Sequence, residues 1–219
     1  MIFVNFKTYE RGSGKSALEL VSVLEDVAHE SGVRIIPAVQ ASDIKEIVLA
    51  TKLEVWTQHI DAVEFGAHTG SILAEAVFED GATGTFLNHS EHRFDNFDDL
   101  KKAHERSKEV GLKTLIFAAN LDELKHILEL APNYASYEPP ELVGSKTTSV
   151  AKEKPEVISQ AVTLARAKGI PLIVGAGIKS MEDVQKSVEL GAAGIAVASS
   201  IVVSENPRQE IMELIEGFR

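Results

Sequence analysis

Glu138 closes a short apolar run and stands directly before Pro139, which holds it in an extended conformation. A carboxylate in a dry, closing site has a raised pKa and can serve as a general base. Glu141, three residues further, reads as a hinge or salt-bridge residue. His89, within Asn88-His89-Ser90-Glu91, is the histidine best placed for chemistry. Of the seven histidines, His29, His104 and His126 lie in helical stretches and read as solvated or peripheral. His59, His68, His89 and His92 fall near one face. A metal would recruit His59, His68 and His89, yet the sequence has no compact ligand spacing such as His-Glu-x-x-His. Lys7, two residues after Asn5, is a cation suited to stabilising negative charge that develops on oxygen. Gly175, Gly177, Ser199 and Ser200 suit a phosphate, because glycines let backbone N–H groups approach its oxygens.

Strands and helices alternate along the whole chain. Eight Val-, Ile- and Phe-rich runs read as strands over 2–6, 33–39, 53–59, 82–88, 112–119, 134–138, 170–175 and 193–198. Between them apolar residues recur at the helical period. Ala17, Leu20, Val21, Leu24, Val27 and Ala28 make one stripe, and Val157, Ile158, Ala161, Leu164 and Ala165 another. Ile211, Leu214, Ile215 and Phe218 make the last, after Asn206 as N-cap and Pro207 at the first helical position. Ser180 and Asp183 predict a capping box. Gly32, Gly81, Gly111, Gly169 and Gly191 each end a helical stretch before a strand, where positive φ is needed.

Such alternation leaves an open doubly wound sheet or a closed barrel. The first strand lacks the Gly-rich turn of a dinucleotide fold, and Gly12-Ser13-Gly14-Lys15 lacks P-loop spacing, so it reads as a lead-in to the first helix. About 27 residues per unit over 219 residues predicts a single-domain (β/α)8 barrel spanning 1–219. The polar residues named above cluster at the carboxyl ends of the strands, where such barrels carry their chemistry.

The bulk composition narrows the partners. A net charge of −11 argues against nucleic acid and anionic membrane surfaces. There is no cysteine, which excludes disulfides and thiolate chemistry. The apolar runs are far shorter than a membrane span, and the N-terminus has no signal-peptide pattern, so the cytoplasm is the expected compartment.

Taken in order, the strand-end motifs resemble the triosephosphate isomerase family, in its compact archaeal branch. The marks are Asn5-Phe6-Lys7, Gln58-His59-Ile60-Asp61 with Gly66-Ala67-His68-Thr69-Gly70, and Asn88-His89-Ser90-Glu91. They continue with Glu138-Pro139-Pro140-Glu141-Leu142-Val143-Gly144, Gly175-Ala176-Gly177-Ile178 and Val197-Ala198-Ser199. The resemblance implies a cofactor-free interconversion of dihydroxyacetone phosphate and D-glyceraldehyde 3-phosphate through an enediolate. It makes Glu138 the base, His89 the neutral electrophile that shuttles protons between oxygens, and Lys7 the stabilising ammonium, with Asn5 beside it. Asn5, Phe6 and Lys7 form its substrate-binding motif after strand 1. It assigns the phosphate to Val143, Gly144, Gly177, Ala198 and Ser199, gives Glu91 a supporting place, and makes residues 139–149 a lid that excludes water. It implies a homodimer or homotetramer with loop 60–70 at the subunit interface. Two positions depart from the family pattern: Lys146 stands where lids carry a small residue, and Ser200 where the last loop often has glycine.

Two other readings stay open on the residues alone. A different phosphate-binding barrel enzyme, a sugar-phosphate isomerase or lyase, would share the glycines but need another catalytic set. A Schiff-base lysine is not evident beyond Lys7. A non-catalytic phosphate-binding barrel is the other.

Overall fold

The computed structural model describes residues 1–138, 155–175 and 177–219. Its strands are β1 (Ile2–Asn5), β2 (Ile35–Val39), β3 (Trp56–Thr57), β4 (Gly84–Leu87), β5 (Lys113–Ala118), β6 (Tyr134–Tyr137), β7 (Leu172–Val174) and β8 (Gly194–Val197). They pair in chain order, all parallel, and β8 closes on β1 with Ile2 opposite both Ile35 and Ile195. The barrel is the predicted one. Its helices among the described residues are α1 (Gly14–Ser31), α2 (Ile44–Ala50), α3 (Ala74–Glu79), α4 (Phe97–Val110) and α5 (Leu121–Glu129). Beyond them lie α6 (Pro155–Ala167), α7 (Met181–Glu189), α8 (Ser199–Val202) and α9 (Pro207–Glu216).

Every strand lies inside its predicted interval but is shorter. The interval 53–59 shrinks to two residues of regular strand. Neighbouring backbone still bonds outward, Thr83 N–H to Val55 C=O at 2.9 Å and Gln58 N–H to Val39 C=O at 3.1 Å. Strands tilted around a closed barrel overlap their neighbours only briefly, so apolar runs overstate their ladders.

Alternation of side chains along each strand gives two cores. Outward residues such as Ile2, Val4 and Ile35 meet the helices, including the α1 stripe of Ala17, Leu20, Val21, Leu24 and Val27. Inward residues fill the barrel: Phe3, Trp56, Phe86 and Tyr134 meet edge to face or tilted, with centroids 5.0 to 6.3 Å apart. Each such pair contributes about 0.5–1.5 kcal/mol beyond burial. Gly84 makes this possible, because a Cβ there would lie 2.4 Å from the Trp56 indole.

The helix boundaries follow local chemistry. Gly32, Gly81, Gly111, Gly169 and Gly191 all take positive φ. Ser180 and Asp183 form the capping box of α7, and Asn206 caps α9 ahead of Pro207. The helical histidines divide. His104 is not peripheral: it is 2% exposed, with Nε2 2.8 Å from Leu130 C=O and Nδ1 3.1 Å from Thr114 Oγ1. Its expected periphery came from reading α4 alone, whereas β5 and the end of α5 surround it.

Candidate active site

A cavity opens at the carboxyl end of the barrel. Asn5 and Lys7 reach it from β1, His89 from β4, Glu138 from β6, Gly177 from β7, and Ala198 and Ser199 from β8. These expected residues are therefore brought together. Phe6 is not: its side chain is fully buried in the outer core. On a strand end that points residue 5 and residue 7 toward the mouth, residue 6 must point away. Val143, Gly144, Lys146 and the segment 139–149 lie outside the described residues.

The strand ends are bent to serve the cavity. Lys7 has φ of 47° and Asn88 φ of 61°, the left-handed region that costs a side-chain-bearing residue about 1–3 kcal/mol. Both are clamped. Lys7 N–H donates to Asn5 Oδ1 at 3.0 Å, and Lys7 C=O accepts from Gln58 Nε2 at 3.0 Å. Asn88 Nδ2 donates to Phe117 C=O at 3.0 Å and to Glu123 Oε1 at 2.9 Å. The kink at Asn88 aims the next residue, His89, into the barrel mouth.

His89 is 8% exposed. Its Nδ1 accepts the Glu91 backbone N–H at 3.1 Å, so a neutral ring carries its proton on Nε2. Burial, reinforced by the nearby Lys7 ammonium and opposed by Glu91, lowers its pKa from 6.5 to about 4. Nε2 lies 3.5 Å from Glu138 Oε2, a contact between a neutral donor and a carboxyl group rather than an ion pair.

Glu138 is 5% exposed, and its Oε2 accepts from Ser90 Oγ at 3.1 Å. Burial raises its pKa from 4.5 to about 7; the Ser90 bonds and Lys7 pull against this rise. Gly175, expected as phosphate-approach glycine, sits beside this carboxyl: a Cβ there would be 3.0 Å from Glu138 Oε1. Lys7 Nζ pairs with Glu91 Oε1 at 2.7 Å, at the half-exposed rim. The set thus holds a carboxyl poised near neutrality, a neutral imidazole N–H and an ammonium around one space. Such a space can take a proton from carbon while polarising a carbonyl.

Toward β8, Ala198 precedes the short helix α8, and Ser199 and Ser200 of its first turn border the cavity with Gly177. His59 lies apart from any metal arrangement. It stacks on His92 with centroids 3.9 Å apart and faces Asp61 through Nε2 at 3.5 Å. Among the described residues no three His, Cys, Asp or Glu side chains converge as metal ligands.

Three contributors escaped the sequence reading. Ser90, the partner of Glu138, stands beside His89 in the sequence, and that adjacency is its signal. Gln58 acts through the carbonyl of Lys7, for which sequence offers no sign. Lys179 borders the cavity after β7, and the need for local positive charge in an acidic chain pointed to such a residue.

Comparison with known proteins bears on the whole chain. The family model described as triosephosphate isomerase matches residues 1–217. Triosephosphate isomerase of Sulfurisphaera tokodaii is 40% identical over 216 residues, covering 98% of this chain and 93% of that protein. That of Methanocaldococcus jannaschii is 38% identical, covering 99% of each. A crystal structure of triosephosphate isomerase from Bartonella henselae matches with a TM-score of 0.77 over 99% of this chain and 96% of that one; at 15% identity it supports the fold alone.

Proposed function

The chain belongs to the triosephosphate isomerase family and is an isomerase, and we propose that it interconverts dihydroxyacetone phosphate and D-glyceraldehyde 3-phosphate with Glu138 as base. The Glu138 carboxylate removes a proton from the substrate carbon next to the carbonyl. His89 Nε2–H bonds the carbonyl oxygen, and the Lys7 ammonium, with Asn5 beside it, lowers the energy of the enediolate. Glu138 then returns the proton to the neighbouring carbon while His89 moves protons between the two oxygens. No electrons leave the substrate, so the reaction calls for no redox cofactor.

One observation carries this reading: the Glu91 N–H bond to Nδ1 leaves His89 a neutral N–H donor facing the buried Glu138. The N–H of a neutral imidazole is a very weak acid, matched to a strongly basic enediolate oxygen better than an imidazolium would be. For the phosphate, Gly177, Ala198 and Ser199 are the proposed cradle, completed by Val143 and Gly144. The residues 139–149 are the proposed lid.

Loop 60–70 is the proposed subunit contact of a homodimer or homotetramer. Its residues 64–70 are exposed, Phe65 to 74%, a large apolar surface for a loop tip. Light scattering on purified protein tests this, and a monomer at micromolar concentration overturns it. Among the described residues no helix is long and apolar enough to cross a membrane; the cytoplasm is the proposed compartment.

The test of the activity is a coupled assay with glyceraldehyde 3-phosphate, without added metal or nucleotide, beside Glu138→Ala. Rapid isomerisation that the variant loses supports both reaction and base. A folded wild-type protein that converts nothing overturns the reading.

A further inference from the structure

Beneath the cavity, inside the barrel, lies a hydroxyl that the mechanism does not use. Ser136 lies on β6 two residues before Glu138, on the inward face, and is fully buried. Its Oγ has no hydrogen-bond partner among the described residues. Within the barrel, its neighbours across the ladder are Phe117 and Ile173, and Ala196 lies close by. None offers a side-chain acceptor. A buried hydroxyl without a partner costs stability, and an alanine would fit the same space without that cost.

Gly175 leaves open a gap that this hydroxyl shares with the Glu138 carboxyl. The point where a Cβ of residue 175 would stand is 3.0 Å from Glu138 Oε1 and 3.1 Å from Ser136 Oγ. With any side chain at 175 the two oxygens would be walled apart; with glycine they face a shared gap. Glu138 Oε2 is already held by Ser90 on the opposite side. We propose that Ser136 is a positioning residue for the base: its O–H donates to Glu138 Oε1 across this gap when substrate occupies the cavity. The bond holds the carboxylate in its charged form and fixes the height at which it enters the cavity.

The charge balance around Glu138 makes such a donor useful. Among the described residues, Lys7 and Glu91, paired with each other, and Lys179 at the rim are the charged groups around the cavity; His89 is neutral, and from β7 the glycine backbone of Gly175 lies beside the carboxyl. Burial therefore works against ionisation with little net charge to oppose it, and a hydrogen bond to the anion is the remaining device. Ser136 supplies it from below, where no charge has to be buried with it.

This inference rests on Glu138 being the base, so the experiment separates the two. Side-chain carboxyls are labelled with 13C, and the Glu138 signal, assigned by its loss in Glu138→Gln, is titrated with inorganic phosphate bound in wild type and Ser136→Ala. The profile of kcat/KM against pH is recorded for the same proteins. Ser136→Ala is expected to raise both the carboxyl titration and the acidic limb by about one pH unit, an activity loss of about tenfold below the limb. Ser136→Cys, of similar size and a weaker donor, should shift less; it also serves if the alanine variant does not fold. Unmoved titrations in folded Ser136→Ala, or in Ser136→Cys, overturn the proposal, whatever happens to thermal stability. If Glu138→Gln keeps near wild-type turnover, the base assignment fails instead.

Discussion

The two ends of the barrel are built on opposite plans. At the amino end, Arg34 grips Glu54 with two bonds of 2.8 and 3.0 Å and donates to Tyr134 Oη at 2.8 Å, while Lys113 reaches Glu54 at 3.2 Å. Every charge in that group has a partner, and the Tyr134 ring joins it to the aromatic interior. At the carboxyl end a carboxyl is buried with a raised pKa, a histidine is kept neutral and, among the described residues, the Ser136 hydroxyl has no partner; Lys7 and Asn88 take left-handed backbone there, as Ala131 does at the amino end. The same eight strands supply both. What differs is what their last residues are asked to do: satisfied groups hold a fold, and frustrated groups are available to a substrate.

The strongest way to test this contrast is Glu138→Gln. It should lower kcat by about 10²–10⁴-fold, the share of a positioned base, and yet stabilise the protein in alkali. Between pH 4.5 and about 7 the folded chain keeps a proton that the unfolded chain releases. Stability therefore falls as pH rises through that window. The variant has no such cost, so its gain in Tm over wild type should be largest above pH 7 and vanish below pH 4.5, as read by calorimetry. A gain that is independent of pH would break the comparison.

His89→Gln comes next. Loss of the Nε2–H donor should slow turnover by about 10²-fold, with KM changing far less. Steady-state kinetics at pH 8 would show it; a loss confined to KM would mean that His89 only binds.

The interior between the two ends should answer in stability rather than rate. Gly84→Ala drives a Cβ into the Trp56 indole and should cost about 1–3 kcal/mol in urea unfolding. The smallest effect belongs to the amino end. Arg34→Met removes a pair that is about one-third exposed on each side and should cost about 1 kcal/mol or less, with kcat within about twofold of wild type. A larger kinetic effect from Arg34 than from His89 would erase the proposed division of labour.

The difference between the ends is partly legible in the sequence. Polar residues collect after the apolar runs and glycines before them; that asymmetry makes Glu138 and His89 candidates, while Lys7, alone an ordinary surface lysine, owes its place to the family resemblance. Other features resisted. Phe6 shared a motif with Asn5 and Lys7, and only strand alternation turned it outward. Gly175 looked like a phosphate glycine, and its contact with Glu138 depends on how β6 and β7 sit side by side. His104 carried the helical pattern of a peripheral residue, but Thr114 and Leu130 enclose it.

The sequence by itself determined the eight-fold alternation, the helix caps and the glycine stops, because these follow from backbone preferences and bonds within a few residues. It also determined which side chains could do chemistry, since that is a property of the residue type. Only the tertiary structure decided their states. The lowered pKa of His89 and the raised one of Glu138 come from water excluded by neighbours on other strands. The gap shared by Ser136, Glu138 and Gly175 exists because barrel closure brings β6 and β7 into register. Burial and long-range contact are sums over the whole fold, and no local stretch of chain contains them.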